Sequence, residues 1–177
     1  MIKALYRLPD HMKAEIVNGA IVPMSPTGVQ SSRASGLIFA SLLAYERRVG
    51  WGMALPNNAG FLVDLPNRAS FSPDAAYCAE RVMSPGFFEG APLFAVEVRS
   101  EHDYGPKADQ AMRRKIADYF AAGTQVVWDV DVLRDRVVRV YRASAPDQPA
   151  VYREGDEAEA EPALPGWRLA VSELLQD

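Results

Sequence analysis

An α/β (α+β) fold, a central mixed β-sheet flanked by helices and opened by an N-terminal β-hairpin, is what the sequence predicts on three observations. Two stretches, 31–49 and 106–122, carry apolar residues at helical spacing. Between and after them lie short runs rich in β-branched and aromatic residues, such as FAVEVRS at 94–100 and QVVWDVD at 125–131. Near the start, Asn18-Gly19 separates two alternating apolar segments, and this dipeptide favours a two-residue hairpin turn. Helices interleaved with strands in this order point to a sheet covered by helices.

In chain order, EIVNGAIVPMSP (15–26) reads as the hairpin. From Ser31 to Val49, Ala34, Leu37, Ile38, Leu42 and Tyr45 share one helical face; Arg47 and Arg48 complement the dipole at its end, and Gly50 is the stop. GFLVDLP (60–66) and PDAAYCAE (73–80) read as strands, and a loop containing Pro85, Gly86, Gly90 and Pro92 leads to FAVEVRS. SEHDYGPK then breaks the chain, and Pro106 suits the first turn of a helix that runs to Ala122 and ends at Gly123. QVVWDVD and RVVRVYRA are two further strands about a turn at 133–135. A polar link, a short C-terminal strand and a closing helix, LAVSELLQD, complete the chain. With no internal repeat and no long linker, residues 1–177 are expected to form one domain.

Composition narrows the function classes. At 177 residues, 49% apolar and 24% charged, the chain has ordinary globular composition. No apolar run approaches the roughly 20 residues needed to span a bilayer, and MIKALYRLPDHMK lacks the apolar core of a signal peptide, so a cytoplasmic protein with no membrane partner is expected. The single cysteine, Cys78, excludes an internal disulfide or a CxxC metal knuckle and reads as a small core residue in a reducing compartment. The net charge of −4 argues against a surface coated in positive charge, yet EGDEAEAE at 154–161 holds five acids, and without it the sum becomes +1. Two histidines, His11 and His102, are too few for a histidine-rich zinc site, and they weigh against HNH-type nucleases and most Ser-His-Asp hydrolases.

The chemistry gathers around FAVEVRS. On a strand, Phe94, Val96 and Val98 point to one face and Ala95, Glu97 and Arg99 to the other. On the helix at 106–122, Ala108, Met112, Ile116 and Tyr119 form the apolar stripe, with Lys115 in its middle and Arg113 and Arg114 on the outward sides. Since the strand feeds this helix through a short connection, Lys115 can approach Glu97. A lysine snorkelling to the rim, or a structural ion pair, is the plainer account, although a buried pair stabilises little. A third group changes the balance: Asp74, in the Pro73-Asp74 pair, lies 23 positions before Glu97 and opens the preceding strand. Two carboxylates on neighbouring strands can hold a hard divalent cation, while a lysine orients water or neutralises charge on a phosphate.

In order and spacing these residues resemble the Uma-two family of restriction-endonuclease-like proteins, a branch of the PD-(D/E)XK nuclease superfamily. The likeness is carried by Pro73 and Asp74, Glu97 with Ser100, Lys115 with Tyr119, Gly123 and Trp128, and it extends to EIVNGAIVPMSP and LPGWRLAVSELL. It implies a restriction-endonuclease-like fold and a Mg²⁺-dependent endonuclease, with Mn²⁺ as a substitute, that hydrolyses phosphodiester bonds of nucleic acid, in the first place DNA. Asp74 and Glu97 would hold the metal, Lys115 would position the attacking water, and Arg99 would contact the scissile phosphate. Arg99 stands where the superfamily has lysine, and it cannot act as a general base. The competing expectation is a degenerate nuclease fold that binds nucleic acid or a protein without cutting. A symmetric homodimer is also expected, both from the resemblance and because Trp51, Phe61, Phe71, Phe87 and Phe88 lie in irregular or edge-like segments.

Overall fold

The computed structural model describes residues 2–9 and 12–175; His11 and the last two residues of the expected closing helix, Gln176 and Asp177, lie outside them. A four-residue helix α1 (Ile2–Leu5) precedes the hairpin of β1 (Lys13–Val17) and β2 (Ala20–Met24). Its turn residues Asn18 and Gly19 take φ of 49° and 73°, the left-handed conformation that this pair tolerates best. Helix α2 (Val29–Val49) ends at Gly50, whose φ is 74°. Then come β3 (Met53–Leu55), β4 (Phe61–Leu65), β5 (Arg68–Phe71), β6 (Ala75–Cys78), β7 (Phe88–Glu89) and β8 (Phe94–Val98). Helix α3 (Pro106–Ala121) follows, with Pro106 at its start. The chain closes with β9 (Val126–Asp131), β10 (Val137–Arg142), β11 (Ala145–Arg153), β12 (Glu157–Glu159), β13 (Arg168–Ala170) and α4 (Val171–Leu174).

A mixed six-stranded sheet, ordered β11-β10-β9-β8-β6-β3, is the centre; only β8 and β9 pair in parallel, and α3 supplies the crossover that parallel neighbours need. The expected hairpin belongs to a second sheet, β2-β1-β5-β4-β7, rather than standing alone, and so does the strand expected at 60–66. A small pair, β12–β13, completes the set.

Strand alternation divides the core. Phe94, Val96 and Val98 of β8 join Val126, Trp128 and Val130 of β9 on the face covered by Ala34, Ile38 and Leu42 of α2 and by the C-terminal segment. The opposite face presents Ala76, Cys78, Ala95 and Val127 to Ile116 and Tyr119 of α3 and to Phe61 and Phe71 of the second sheet. Helix α2 is also bolted by polar bonds: Ser35 Oγ donates to the Asp74 carbonyl at 2.6 Å and Ser31 Oγ to that of Arg99 at 2.8 Å. One serine per turn therefore fixes the strand end that carries each charged residue.

Three expectations are corrected. Phe61 and Phe71 are fully buried between the second sheet and α3, so they expose no aromatic surface; Trp51 is 38% exposed. The stretch 145–153 is a nine-residue strand rather than part of a polar link. Within the acidic run, Ala158, Glu159 and Ala160 are buried: Glu159 pairs with Arg142, and its carbonyl accepts the Trp128 indole N–H at 3.0 Å. Among the described residues, no helix is long and apolar enough to cross a membrane.

Candidate active site

Along the α3-facing side of β8 the residues run Ala95, Glu97, Arg99, and along β9 they run Val127, Asp129, Asp131. The face thus turns from apolar to charged towards the C-terminal ends of the two parallel strands, where open α/β sheets commonly place their sites. Glu97 and Asp129 are direct register partners, so two carboxylates lie side by side there.

Asp74 enters from β6, where the antiparallel pairing with β8 runs out. Its backbone N–H still donates to the Val96 carbonyl at 2.9 Å, and its side chain takes over the next rung, Oδ2 accepting the Val98 N–H at 2.8 Å. The other oxygen, Oδ1, lies 3.0 Å from Lys13 Nζ on β1. Lys13 in turn donates to Asn57 Oδ1 at 2.8 Å. Asp74 and Glu97 line one groove of about 740 Å³ between α3 and the hairpin, together with Lys115.

Lys115 Nζ sits between two carboxylates, 2.8 Å from Glu97 Oε1 and 2.9 Å from Glu15 Oε1. Glu97 Oε1 also accepts the Tyr119 hydroxyl at 2.7 Å, and the Tyr119 ring stacks on Phe71 with centroids 4.0 Å apart. Glu15 accepts the Ser72 N–H at 2.9 Å and pairs with Arg68 at 2.7 Å, and Arg68 reaches Asp118 on α3 at 2.9 Å.

These contacts set the protonation states. Burial lifts the Glu97 carboxyl to about 7, against the pull of the Lys115 ammonium and with help from the negative charges of Asp74 and Glu15. Burial also works on Glu15, but Lys115 and Arg68 outweigh it and hold that carboxyl below its ordinary value. For Lys115 burial favours the neutral amine, yet Glu15 and Glu97 overcome it and raise its pKa, so it stays an ammonium at neutral pH. Tyr119 is raised too, by burial and then by Glu97, and it keeps its proton as a donor.

Arg99 is not brought to this groove. Its guanidinium makes a fork with Asp129, Nε to Oδ1 at 2.8 Å and Nη2 to Oδ2 at 2.9 Å. Nη1 bonds Asp109 Oδ1 at 2.7 Å and the Asp103 carbonyl at 3.1 Å. It thereby ties the end of β8 to β9, to the first turn of α3 and to the loop between them, and it opens onto a different pocket lined by Tyr104, Arg134 and Arg139. Asp129 is the first cause of a raised Arg99 pKa, ahead of the opposing effect of burial.

Three participants escaped the sequence reading, Lys13, Glu15 and Arg68. The available signal was the period-two placement of Lys13, Glu15 and Val17 on one side of β1, which sets two charges on the same face.

The donor chemistry suits a hard divalent cation. Asp74 and Glu97 are oxygen donors on adjacent strands, and the Lys13 ammonium already seats a positive charge against Asp74. Among the described residues no three His, Cys, Asp or Glu groups converge in a metal-holding arrangement. The protein side of such a site would therefore be two carboxylates, with water and substrate oxygens completing the shell, a common way for Mg²⁺ to be held.

Comparison with known proteins agrees with this architecture. The crystal structure of a "putative nuclease belonging to DUF820" from Anabaena variabilis superposes with a TM-score of 0.77 at 17% identity, covering 98% of this chain and 96% of that one, which establishes the shared fold. No curated protein gives a significant match. The Uma2 family profile, described as "Putative restriction endonuclease", matches residues 2–172, nearly the whole sequence, and the chain belongs to that family.

Proposed function

We propose that the protein is a metal-dependent endonuclease that hydrolyses phosphodiester bonds of DNA, with Asp74 and Glu97 holding Mg²⁺ or, in its place, Mn²⁺. The observation that carries this reading is the meeting of Glu97, Lys115 and Asp74 at one groove, two hard oxygen donors beside a permanently charged ammonium. Bound there, the metal would supply Lewis-acid stabilisation of phosphoryl charge and lower the pKa of a ligated water.

The chain's own residues divide the remaining work. Of the three N–H donors on Lys115, two go to Glu15 and Glu97, which leaves one for a phosphate oxygen or the attacking water. Because it remains protonated, Lys115 acts as a donor and a charge and not as a base. Tyr119 fixes the Glu97 carboxylate by its 2.7 Å bond. Arg99 holds the frame in this scheme and does not touch the reacting groups, since its donors are spent on Asp129, Asp109 and the Asp103 carbonyl. Residues 1–177 act as one domain, and the buried, free thiol of Cys78 suits a cytoplasmic setting. Large apolar side chains exposed at Trp51, Val29 and Met83 support the homodimer, which light scattering reporting a monomer at micromolar concentration would remove.

The test is incubation of the purified chain with supercoiled, linear and single-stranded DNA, and with RNA, in Mg²⁺ or Mn²⁺, beside an Asp74→Ala control. Metal-dependent DNA cleavage that disappears in the control is expected. If the folded protein cuts nothing under any of these conditions yet retards nucleic acid equally with and without Asp74, the binding-module alternative replaces the enzyme.

A further inference from the structure

We propose that Glu15, on the N-terminal hairpin, is the fixed anchor of Lys115, holding its ammonium at the groove while Glu97 is released to bind a metal ion. The metal consequence rests on the nuclease reading above; the anchoring itself rests on geometry alone.

The two carboxylates that flank Lys115 are not equivalent. Glu15 belongs to a closed circuit: Lys115 to Glu15 at 2.9 Å, Glu15 to Arg68 at 2.7 Å, and Arg68 to Asp118 at 2.9 Å, which returns to α3 three residues beyond Lys115. The Ser72 backbone N–H adds a third fixed bond to Glu15. Glu15 is thus held by Lys115, Arg68 and the Ser72 N–H, and Arg68 by Glu15 and Asp118; none of these is one of the two proposed metal ligands. Glu97, in contrast, is bonded by Lys115 and Tyr119 through the same oxygen, Oε1, and shares the groove with Asp74.

Seating a divalent cation between Asp74 and Glu97 would weaken the hold of Glu97 on the ammonium and would repel that ammonium directly. Glu15 supplies the compensating negative charge from β1, and Arg68 keeps it from following the lysine. Without Glu15, Lys115 would have Glu97 as its one carboxylate and would compete with the metal for it. The hairpin is thus part of the site, and its glutamate acts through the lysine as a positioning residue.

Two measurements on the full chain decide this. The first is Mn²⁺ affinity by titration calorimetry for the parent, Glu15→Gln, Lys115→Met and the double variant. Glu15→Gln should weaken Mn²⁺ binding about tenfold, the low end for loss of a group that supports a metal ligand. Adding Lys115→Met should restore most of that loss, whereas in the parent the same change should raise affinity about twofold or less. Equal factors in the two backgrounds would mean simple charge summation and would overturn the anchor.

The second measurement needs no metal: ¹³C relaxation of the Lys115 side-chain methylenes, which reports their order on the fast timescale. Lys115 should be rigid in the parent and in Glu97→Gln and mobile in Glu15→Gln. A rigid Lys115 in Glu15→Gln, or equal mobility in the two variants, overturns the proposal. If the parent binds no Mn²⁺, the nuclease reading fails while the relaxation still rules on the anchor. Should Glu15→Gln fold poorly, Glu15→Gln/Arg68→Met removes the ion pair as a unit, and its Lys115 relaxation is read in the same way.

Discussion

Replacing Arg99 with methionine separates a frame-holding role from a catalytic one. The guanidinium makes four hydrogen bonds, but their loss is not evenly felt. Asp109 is 41% exposed at its side chain and can turn to water, and a backbone carbonyl can find another donor. Asp129 cannot: its side chain is 1% exposed, and the next cation, Arg139 Nη1, is 3.7 Å away, beyond hydrogen-bonding range. Arg99→Met therefore strands one buried carboxylate, which costs about 3–5 kcal/mol. For a chain of this length each kcal/mol moves the melting temperature by roughly 2–4 °C, so a fall of about 6–20 °C is expected. Thermal melting by circular dichroism checks the size. Arg99→Met/Asp129→Asn, which removes the stranded charge, should recover more than half of the loss. Assayed well below its melting point, Arg99→Met should still cleave at a rate near that of the parent. A variant that melts with the parent and no longer cleaves would refute this reasoning and return Arg99 to the phosphate.

Three further outcomes are expected. Asp74→Asn keeps an acceptor for the Val98 N–H but not the charge, so calorimetry should show Mn²⁺ binding at least tenfold weaker, with stability changed by only about 1 kcal/mol; unchanged affinity would remove Asp74 from the metal site. Lys115→Met should cut cleavage about a hundredfold or more and also destabilise, because it unpairs Glu97. Burial already raises Glu97 to about 7, and a raised carboxyl contributes stability that is lost as pH climbs through the folded value, so the melting deficit of Lys115→Met should shrink as the pH falls from alkaline towards 7; a deficit that grows instead would contradict it. The Cys78 thiol, pushed by burial up to about 12, should not react with a disulfide reagent at mildly alkaline pH until the chain unfolds, and rapid labelling of the native protein would show that β6 is open.

The sequence made the meeting of Glu97 and Lys115 legible because every link was local. Alternation set the face of Glu97, helical angle set the direction of Lys115, and a short connection brought α3 back over its own strand. Glu15 and Arg68 were not legible in this way, since they reach the site through pairing of β1 with β5, where Val17 meets Arg68 across 50 intervening residues. No periodicity within either strand announces such a partner. Strand β11 was hidden by its own composition: APDQPAVYR carries two prolines and reads as a loop. It lies at the edge of the six-stranded sheet, where a missing N–H can face solvent. The buried Glu159 was hidden by an acidic run, and its interior place follows from Arg142 and the β12–β13 pairing, both set by the tertiary fold.

The division of labour on β8 has a bearing on how this chain can vary. With hydrophobic packing on the even-numbered side and charges on the odd, residues 94–99 cannot gain or lose a position. Deleting one residue there would rotate the rest of the strand by half a turn, carrying Glu97 or Arg99 into the layer under α2 and presenting valines to the groove. Point substitutions remain open to the strand one by one. Insertions are confined to stretches such as 81–87, which lie outside any helix or strand and can lengthen without changing which way a side chain faces.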